Sequence, residues 1–242
     1  MSIATIAPSD VYSTATIATS KVGQLYVDTN GNRYRYVKNA AVALIAAHTI
    51  QEPAEDTQFV SMAVPAAVAI GATAITVTNG TTTVTANMFD NGRLTISTST
   101  GIGQSFNIVS HTTGVSGASI VFNIDRPLVT ALTTSSKVST RVNPYNGIIE
   151  TPVTTQTGIA VGVALVAVAA GSYGFIQSGG DAPVLFDTGT NTANDQLSIA
   201  PSVAVAGSVR VAPSAVGTEI IGYSHQVVSV DSTVSLAHLI ID

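Results

Sequence analysis

The sequence predicts an all-β protein. Between residues 71 and 144, apolar and small polar residues alternate over short runs, as they do in strands that bury one face. The runs end at Gly or Asn, which accept the positive φ that tight hairpin turns require. The apolar residues are mainly Ala, Val and Ile and the polar residues mainly Thr and Ser, a composition rich in side chains that favour sheets. We therefore expect two successive β-sandwich or barrel-like domains, preceded by an extended N-terminal arm and a hairpin.

Changes in composition divide the chain into three parts. Residues 1–58 contain the arm and the hairpin, and the arm itself comprises residues 1–20, which have no turn signals. We expect a partner to order this arm. An acidic, proline-containing segment at residues 52–56 is predicted to be an exposed linker. The middle β domain is predicted to span residues 59–147, and the C-terminal β domain residues 148–242.

The hairpin is predicted around an Asn-Gly dipeptide at residues 30–31, between two strands that contain tyrosine. Alternation places Tyr34 and Tyr36 on one face, which we expect to be buried, and Arg33 and Arg35 on the other. The polar residues of the turn lack the alternate spacing and the distal Glu of a calcium loop, so they indicate a turn.

The C-terminal domain is also predicted to consist of strands. Residues 161–169 form a nearly continuous apolar run, typical of a strand that is buried on both faces. Residues 203–211 and 220–228 alternate as strands do, and residues 234–241 indicate a final strand. Turns are predicted at the Gly-Gly-Asp of residues 179–181 and at residues 191–194 and 230–233.

Charged residues are scarce, at 10% of the chain, and the net charge is −5. A nucleic-acid partner is not expected, because neutralising phosphates requires clustered Lys and Arg. The apolar runs are too short for a membrane span, and no signal peptide is visible, so no membrane partner is expected either. A surface with so few charges is poorly protected against association. We expect part of it to be covered by other chains, although a monomer coated with Ser and Thr is an alternative.

No pattern of reactive side chains indicates an enzyme. The chain has no Cys, no nucleophile elbow and no phosphate-binding loop. Asp90, Asp125 and Glu150 each lie beside Asn, Gly or Pro, where carboxylates commonly serve turns. The histidines are isolated in sequence, so a metal site would have to be assembled by the fold alone; they are His48, His111, His225 and His238. We therefore predict no catalytic residue, no cofactor and no metal ligand.

The middle domain contains a series of distinctive motifs, and a further one follows it. Among them are the GATAITVT segment, the ANMFDNGRL segment, the GIGQSFNI strand and the NPYNG turn. In chain order the motifs occupy residues 71–78, 86–94, 101–108, 132–139, 143–147 and 171–177. With these motifs the chain resembles the capsid decoration, or cement, proteins of tailed bacteriophages.

The resemblance implies a structural protein of the virion. Such a protein would bind the outside of a capsid, cement neighbouring capsid subunits and so stabilise the mature shell, after assembly in the host cytoplasm. The implied partners are the major capsid protein and further copies of the chain, as a homotrimer or, as the second choice, a homodimer. For capsid docking we expect the N-terminal arm and the basic residues Arg33, Arg35 and Lys38.

Two other functions remain open. A tail or capsid fibre, or another receptor-binding module, would recognise a glycan on the host surface, and chains rich in β-structure, Thr, Ser and Gly occur there too. Exposed aromatic patches and a repetitive shaft would favour that alternative, and neither is apparent in the sequence. A bacterial or archaeal surface-layer or adhesin domain is the third possibility.

Overall fold

The computed structural model describes residues 3–153, 155–187, 198–213, 218–226 and 232–242. Nearly all regular structure among these residues is strand, which confirms the all-β prediction. No helix of the described residues is long and apolar enough to cross a bilayer. In chain order the strands are β1 (Ala4–Thr5), β2 (Leu25–Val27), β3 (Arg33–Asn39), β4 (Thr49–Gln51), β5 (Met62–Ala63), β6 (Ala74–Thr78), β7 (Arg93–Thr98), β8 (Ser105–His111), β9 (Ser119–Ile124), β10 (Lys137–Arg141), β11 (Asn146–Glu150), β12 (Ala160–Ala164), β13 (Tyr173–Phe186), β14 (Ser198–Pro201), β15 (Val209–Val211), β16 (Gly222–Ser224) and β17 (Thr233–Ile240).

The chain forms two compact units. The barrel unit is Glu55–Asn143, close to the predicted middle domain of residues 59–147. The two-segment unit combines Met1–Ala54 with Pro144–Asp242, which we predicted to be separate parts of the protein. The two segments belong together because strands from one pair with strands from the other: β3 pairs with β11 and β13, and β4 with β11 and β12.

The barrel unit is a closed, fully antiparallel barrel with the strand order β10-β5-β6-β9-β8-β7, in which β7 pairs with β10 to complete the ring. The alternation of apolar and polar residues in the sequence matches the alternation of buried and exposed side chains in the barrel. In β9, Ile120, Phe122 and Ile124 are buried, whereas Ser119 and Asn123 are exposed. The interior is apolar and closely packed. Its largest fully buried side chains are Phe89, Phe122, Ile75, Leu94, Ile96, Ile108, Ile120, Leu128 and Leu132.

The two-segment unit is organised around β13, the longest strand. The first half of β13 pairs with β3 and β12, and its second half pairs with β17. The pairings produce two rings of strands that share β13: β3-β11-β4-β12-β13 and β13-β15-β14-β16-β17. Each ring encloses an apolar cluster, with Ile50, Val37 and Ile176 in the first and Val184, Ile199 and Leu239 in the second.

The predicted hairpin is confirmed. Strands β2 and β3 are antiparallel, with Val27 opposite Arg33, and Gly31 has a φ of 87° in the turn between them. The expected burial of Tyr34 and Tyr36 is confirmed as well, because both rings lie in an aromatic cluster with Phe175 of β13.

The N-terminal residues differ from their prediction. Instead of an arm that only a partner orders, residues 3–20 lie on the surface of the two-segment unit, anchored by two buried side chains while most of the others are exposed. Ile6 and Val11 are buried against the face of β3 and β13 that carries Tyr36, and Ala15 exchanges two backbone hydrogen bonds with Tyr173. A β-branched, Ala-rich stretch without turn signals therefore covers the apolar outer face of the first ring.

Two further predictions need correction. The Gly-Gly-Asp of residues 179–181 does not end a strand: it continues β13, where Gly180 has a φ of 84° and the register against β3 shifts. Glu52, in the predicted exposed linker, is buried, and its carboxylate accepts the N–H of Ile159. Of the predicted C-terminal turns, residues 191–194 lie outside the described residues.

Candidate functional site

Three loops of the barrel unit meet at one end of the barrel, which we call the loop end. They are residues 64–73, 99–104 and 125–136. Because neighbouring strands of the barrel are antiparallel, successive loops alternate between its two ends. The chain enters and leaves the unit at the opposite end, together with the loops of residues 79–92 and 112–118.

The loop end exposes apolar side chains and is almost free of charge. Ile70, Ile102 and Val129, one from each loop, are 66%, 67% and 72% exposed. No charged residue occurs in the three loops except Asp125 and Arg126, which directly follow β9. Exposed apolar side chains are ordinary when they are scattered singly, but three of them on adjoining loops with few charges make this end a candidate binding surface.

Hydrogen bonds connect the three loops at this end. Gln104 joins two loops: its Nε2 donates to the Thr130 carbonyl at 3.1 Å, and its Oε1 accepts from the Val129 N–H at 2.9 Å. Val68 and Leu132 exchange two backbone hydrogen bonds, of 3.0 and 2.8 Å, which join the loop of residues 64–73 to the loop of residues 125–136. An exposed apolar surface that is rigid before binding loses little conformational entropy when it is covered.

The residues predicted to dock on a capsid do not form a single face. Arg33 is exposed, but Arg35 shares a sheet face with the fully buried Val37 and is partly buried itself. The pKa of the Arg35 guanidinium is raised, chiefly by its hydrogen bonds with Asp242. Lys38 alternates onto the opposite face, where its ammonium lies 5.9 Å from the centre of the Tyr173 ring.

The carboxylate of Asp28 is used within the hairpin turn. Its Oδ1 accepts the N–H groups of Asn30 and Asn32, and its Oδ2 accepts Asn32 Nδ2 and the Tyr34 hydroxyl, at 2.8 to 3.0 Å. Burial opposes its ionisation, but these hydrogen bonds leave the pKa of Asp28 below its ordinary value. Four donors satisfy this carboxylate, as in an Asx-type turn.

Two of the four histidines have structural partners. His48 contacts the Glu150 carboxylate, and burial lowers the pKa of its imidazole, which favours the neutral ring. His111 Nε2 accepts the N–H of Phe89 at 3.0 Å inside the barrel unit, so this ring must carry its proton on Nδ1. Neither arrangement brings a second histidine close.

The other two histidines form a cluster with an aspartate, which local sequence spacing did not reveal. Asp181 on β13, His238 on β17 and His225 just after β16 are all exposed, and one potential ligand atom from each lies within 4.8 Å of the others. Asp181 Oδ1 is 2.7 Å from His238 Nδ1 and 3.1 Å from His225 Nε2. Hydrogen bonds from His238 and then His225 lower the pKa of the Asp181 carboxyl.

Comparison of the chain with protein-family models, with curated proteins and with solved structures finds no match. The geometry of the described residues is therefore the basis on which a function can be argued.

Proposed function

We propose that this chain is a virion structural protein that binds the outside of a bacteriophage capsid and cements neighbouring capsid subunits. The motifs of the barrel unit, which resemble those of phage decoration proteins, suggest the class. The observation that carries the proposal is the loop end: a hydrogen-bonded surface with few charges that exposes Ile70, Ile102 and Val129.

The loop end has the properties that a docking surface needs. Its apolar side chains supply the free energy of association when they leave water, at about 25 cal/mol for each Å² of apolar area. The centres of protein interfaces are depleted of charge, because charges are costly to desolvate there. The cross-links through Gln104 and between Val68 and Leu132 reduce the entropic cost of binding.

Because the N-terminal segment contacts its own unit, we propose a different surface for capsid docking. Ile6 and Val11 anchor residues 3–20 to the two-segment unit, and Arg35 is paired with Asp242, so we give these residues less weight as docking contacts than at first. The loop end replaces them as the principal docking surface in this proposal. Arg33, which is exposed, remains a candidate for a peripheral contact.

Cementing follows from selective binding to one state of the shell. A ligand that binds the expanded lattice more tightly than the unexpanded one stabilises the expanded lattice by mass action. Decoration at symmetry axes would favour a homotrimer, with a homodimer as the second choice.

The test is co-sedimentation of the purified chain with capsids that lack it, before and after expansion. We expect saturable binding to the expanded shell and greater survival of that shell on heating. Ile70→Asp, Ile102→Asp and Val129→Asp should each weaken binding at least tenfold, because each places a charge in the apolar surface. Val115→Asp is the matched control: Val115 is 65% exposed at the opposite end of the barrel, so binding should be unchanged.

Two outcomes would contradict the proposal. Equal weakening by the control and by the loop-end variants would show that the loop end is not the docking surface. Absence of binding to either form of the capsid would reject cementing altogether. The fibre or receptor-binding alternative would then be tested by binding of the chain to host-surface glycans.

A further inference from the structure

The three side chains of the Asp181 cluster are brought together by neighbouring strands. Asp181 lies opposite His238 in the β13–β17 pair, and His238 lies opposite Tyr223 in the β16–β17 pair. His225 follows Tyr223 by two residues, so alternation returns its side chain to the same face. One outward sheet face therefore presents two imidazoles and one carboxylate, which are separated by as many as 57 residues in sequence.

The backbone of this cluster is held in place by other contacts. The Asp181 N–H donates to Asn32 Oδ1 at 3.2 Å, and the Asp181 carbonyl accepts Gln177 Nε2 at 2.9 Å. The His225 N–H donates to the Leu236 carbonyl at 3.1 Å. His238 lies inside β17, which pairs on both sides. The ligand atoms can thus move by rotation of side chains, while the strands that carry them stay fixed.

Two of the three separations between ligand atoms are close to those that a transition-metal ion requires, and all three atoms lie within 4.8 Å of one another. In a tetrahedral zinc site with bonds of about 2.0 Å, neighbouring ligand atoms are about 3.3 Å apart. The distances from Asp181 Oδ1 are 2.7 Å to His238 Nδ1 and 3.1 Å to His225 Nε2, so they need to lengthen by only a few tenths of an ångström. Imidazole nitrogen together with carboxylate oxygen is a donor set that suits Zn²⁺ and its first-row neighbours.

We propose that Asp181, His225 and His238 bind a divalent transition-metal ion, with Zn²⁺ as the representative cation. The site is separate from the loop end and does not depend on the capsid function. Three protein ligands leave at least one coordination position open, and the exposure of all three side chains directs that position to solvent. Water or a donor from a ligand can occupy it.

Metal binding requires a rearrangement of protons on the rings. In the metal-free cluster, Asp181 Oδ1 accepts an N–H from each imidazole. In the metal-bound form, His238 Nδ1 and His225 Nε2 use their lone pairs for the ion, and the ring protons reside on His238 Nε2 and His225 Nδ1. No proton is lost from neutral rings, since each changes only its tautomer through solvent.

A bound ion would fasten β16 to β17 and β13. β16 is only three residues long, and His225 follows it immediately. An ion held by all three side chains adds a cross-link that the folded state has and the unfolded chain lacks, so the free energy of unfolding rises with the logarithm of the free ion concentration once that concentration exceeds the dissociation constant. The proposed ion therefore has a structural role: it cross-links three strands on the outward face of the second ring.

The test is calorimetric titration of the full chain with Zn²⁺, after treatment with chelator and without a polyhistidine tag. We expect saturable binding of one ion per chain and a higher melting temperature in the presence of Zn²⁺. Asp181→Asn, His225→Gln and His238→Gln should each weaken binding at least tenfold. Their side chains are exposed, so the variants should keep the wild-type circular dichroism spectrum.

His48→Gln is the matched control, because it also removes one histidine but leaves the cluster intact. It should bind Zn²⁺ with wild-type affinity. Nitrogen-15 spectra of the imidazoles should show Zn²⁺-dependent shifts for His225 and His238 and none for His48 or His111. Absence of stoichiometric binding, or cluster variants that bind as tightly as the control, would overturn the proposal.

Discussion

Arg35 and Asp242 form a bidentate ion pair across 207 residues of sequence: Nε lies 2.6 Å from Oδ2, and Nη2 lies 2.8 Å from Oδ1. The guanidinium also donates to the Gly23 carbonyl and stacks over the Tyr145 ring. Both side chains are largely shielded from water, so the pair contributes more than an exposed one would. The pair connects Asp242 to β3.

Breaking this pair should destabilise the protein in a pH-dependent way. Burial raises the pKa of Asp242, but hydrogen bonds from Arg35 and Ser178 and the nearby positive charges outweigh it, so the net pKa is lowered. A carboxyl with a lowered pKa stabilises the fold above its unfolded pKa of about 3.9, and this contribution disappears as the pH falls through the folded value. Asp242→Asn should cost about 2 kcal/mol at pH 7 and progressively less below pH 4.

The measurement is urea unfolding of the wild type and of Asp242→Asn between pH 7 and pH 3. Lys21→Gln is the control, because Lys21 is exposed in the same unit and should change the free energy of unfolding by no more than about 0.5 kcal/mol. A cost of Asp242→Asn that is independent of pH would contradict the assignment.

Because N-terminal side chains are buried in the two-segment unit, truncating one of them should lower the stability of the protein. The same change in an unattached arm would have no effect on stability. Val11 is 1% exposed and packs in the cluster of Tyr34, Tyr36 and Phe175. Val11→Ala should lower the free energy of unfolding by about 2 kcal/mol, because it leaves a cavity in that cluster. Val42→Ala makes the same chemical change at a side chain that is 74% exposed, and it should have almost no effect.

Chemical denaturation of the two variants checks this prediction. Deletion of residues 1–20 should also lower the stability of the two-segment unit. Equal stability of Val11→Ala and Val42→Ala would show that the N-terminal segment does not pack as described.

The turn at Asp28 predicts an unusual titration for Tyr34. Burial, followed by the hydrogen bond to the Asp28 carboxylate, raises the pKa of Tyr34 to about 12. Because the folded pKa exceeds the unfolded value of about 10, the neutral phenol stabilises the fold below pH 10, and this contribution is lost as the pH rises from 10 to 12. Asp28→Asn should lower the pKa of Tyr34, since it removes the neighbouring charge.

Carbon-13 chemical shifts of labelled tyrosine, followed with pH, measure this pKa directly, and Tyr34→Phe identifies the signal. A Tyr34 titration that is identical in the wild type and in Asp28→Asn would exclude the carboxylate as a cause.

The barrel unit should fold without the remainder of the chain. Residues 55–143 close a complete ring of strands around their own apolar cluster. Every strand of the barrel therefore has a neighbouring strand on each side. The excised fragment should show one cooperative unfolding transition and dispersed amide resonances. Phe122→Ala should abolish or strongly lower that transition, whereas Val109→Ala, at an exposed side chain, should leave it unchanged. A fragment with the narrow amide dispersion of an unfolded chain would contradict the prediction.

The sequence determined the features that depend on neighbouring residues. Alternation predicted the barrel meander and the burial of Tyr34 and Tyr36, and an Asn-Gly dipeptide predicted the hairpin turn. Turn signals were less reliable inside long strands: β13 continues through Gly179 and Gly180, because pairing with β3 and β17 outweighs the local preference for a turn. Local periodicity tells which side chains a strand buries, and this information is contained within the strand itself.

Only the tertiary structure decided which strands are neighbours. The union of the N-terminal and C-terminal segments, the packing of Val11 and the pairing of Arg35 with Asp242 all depend on contacts between distant residues. The meeting of Asp181, His225 and His238 has the same origin, since strand register sets it. Periodicity specifies a buried face but not its partner, because the partner is selected by packing and hydrogen bonding over the whole unit. The loop end likewise arises only when the barrel closes and brings Ile70, Ile102 and Val129 to the same end.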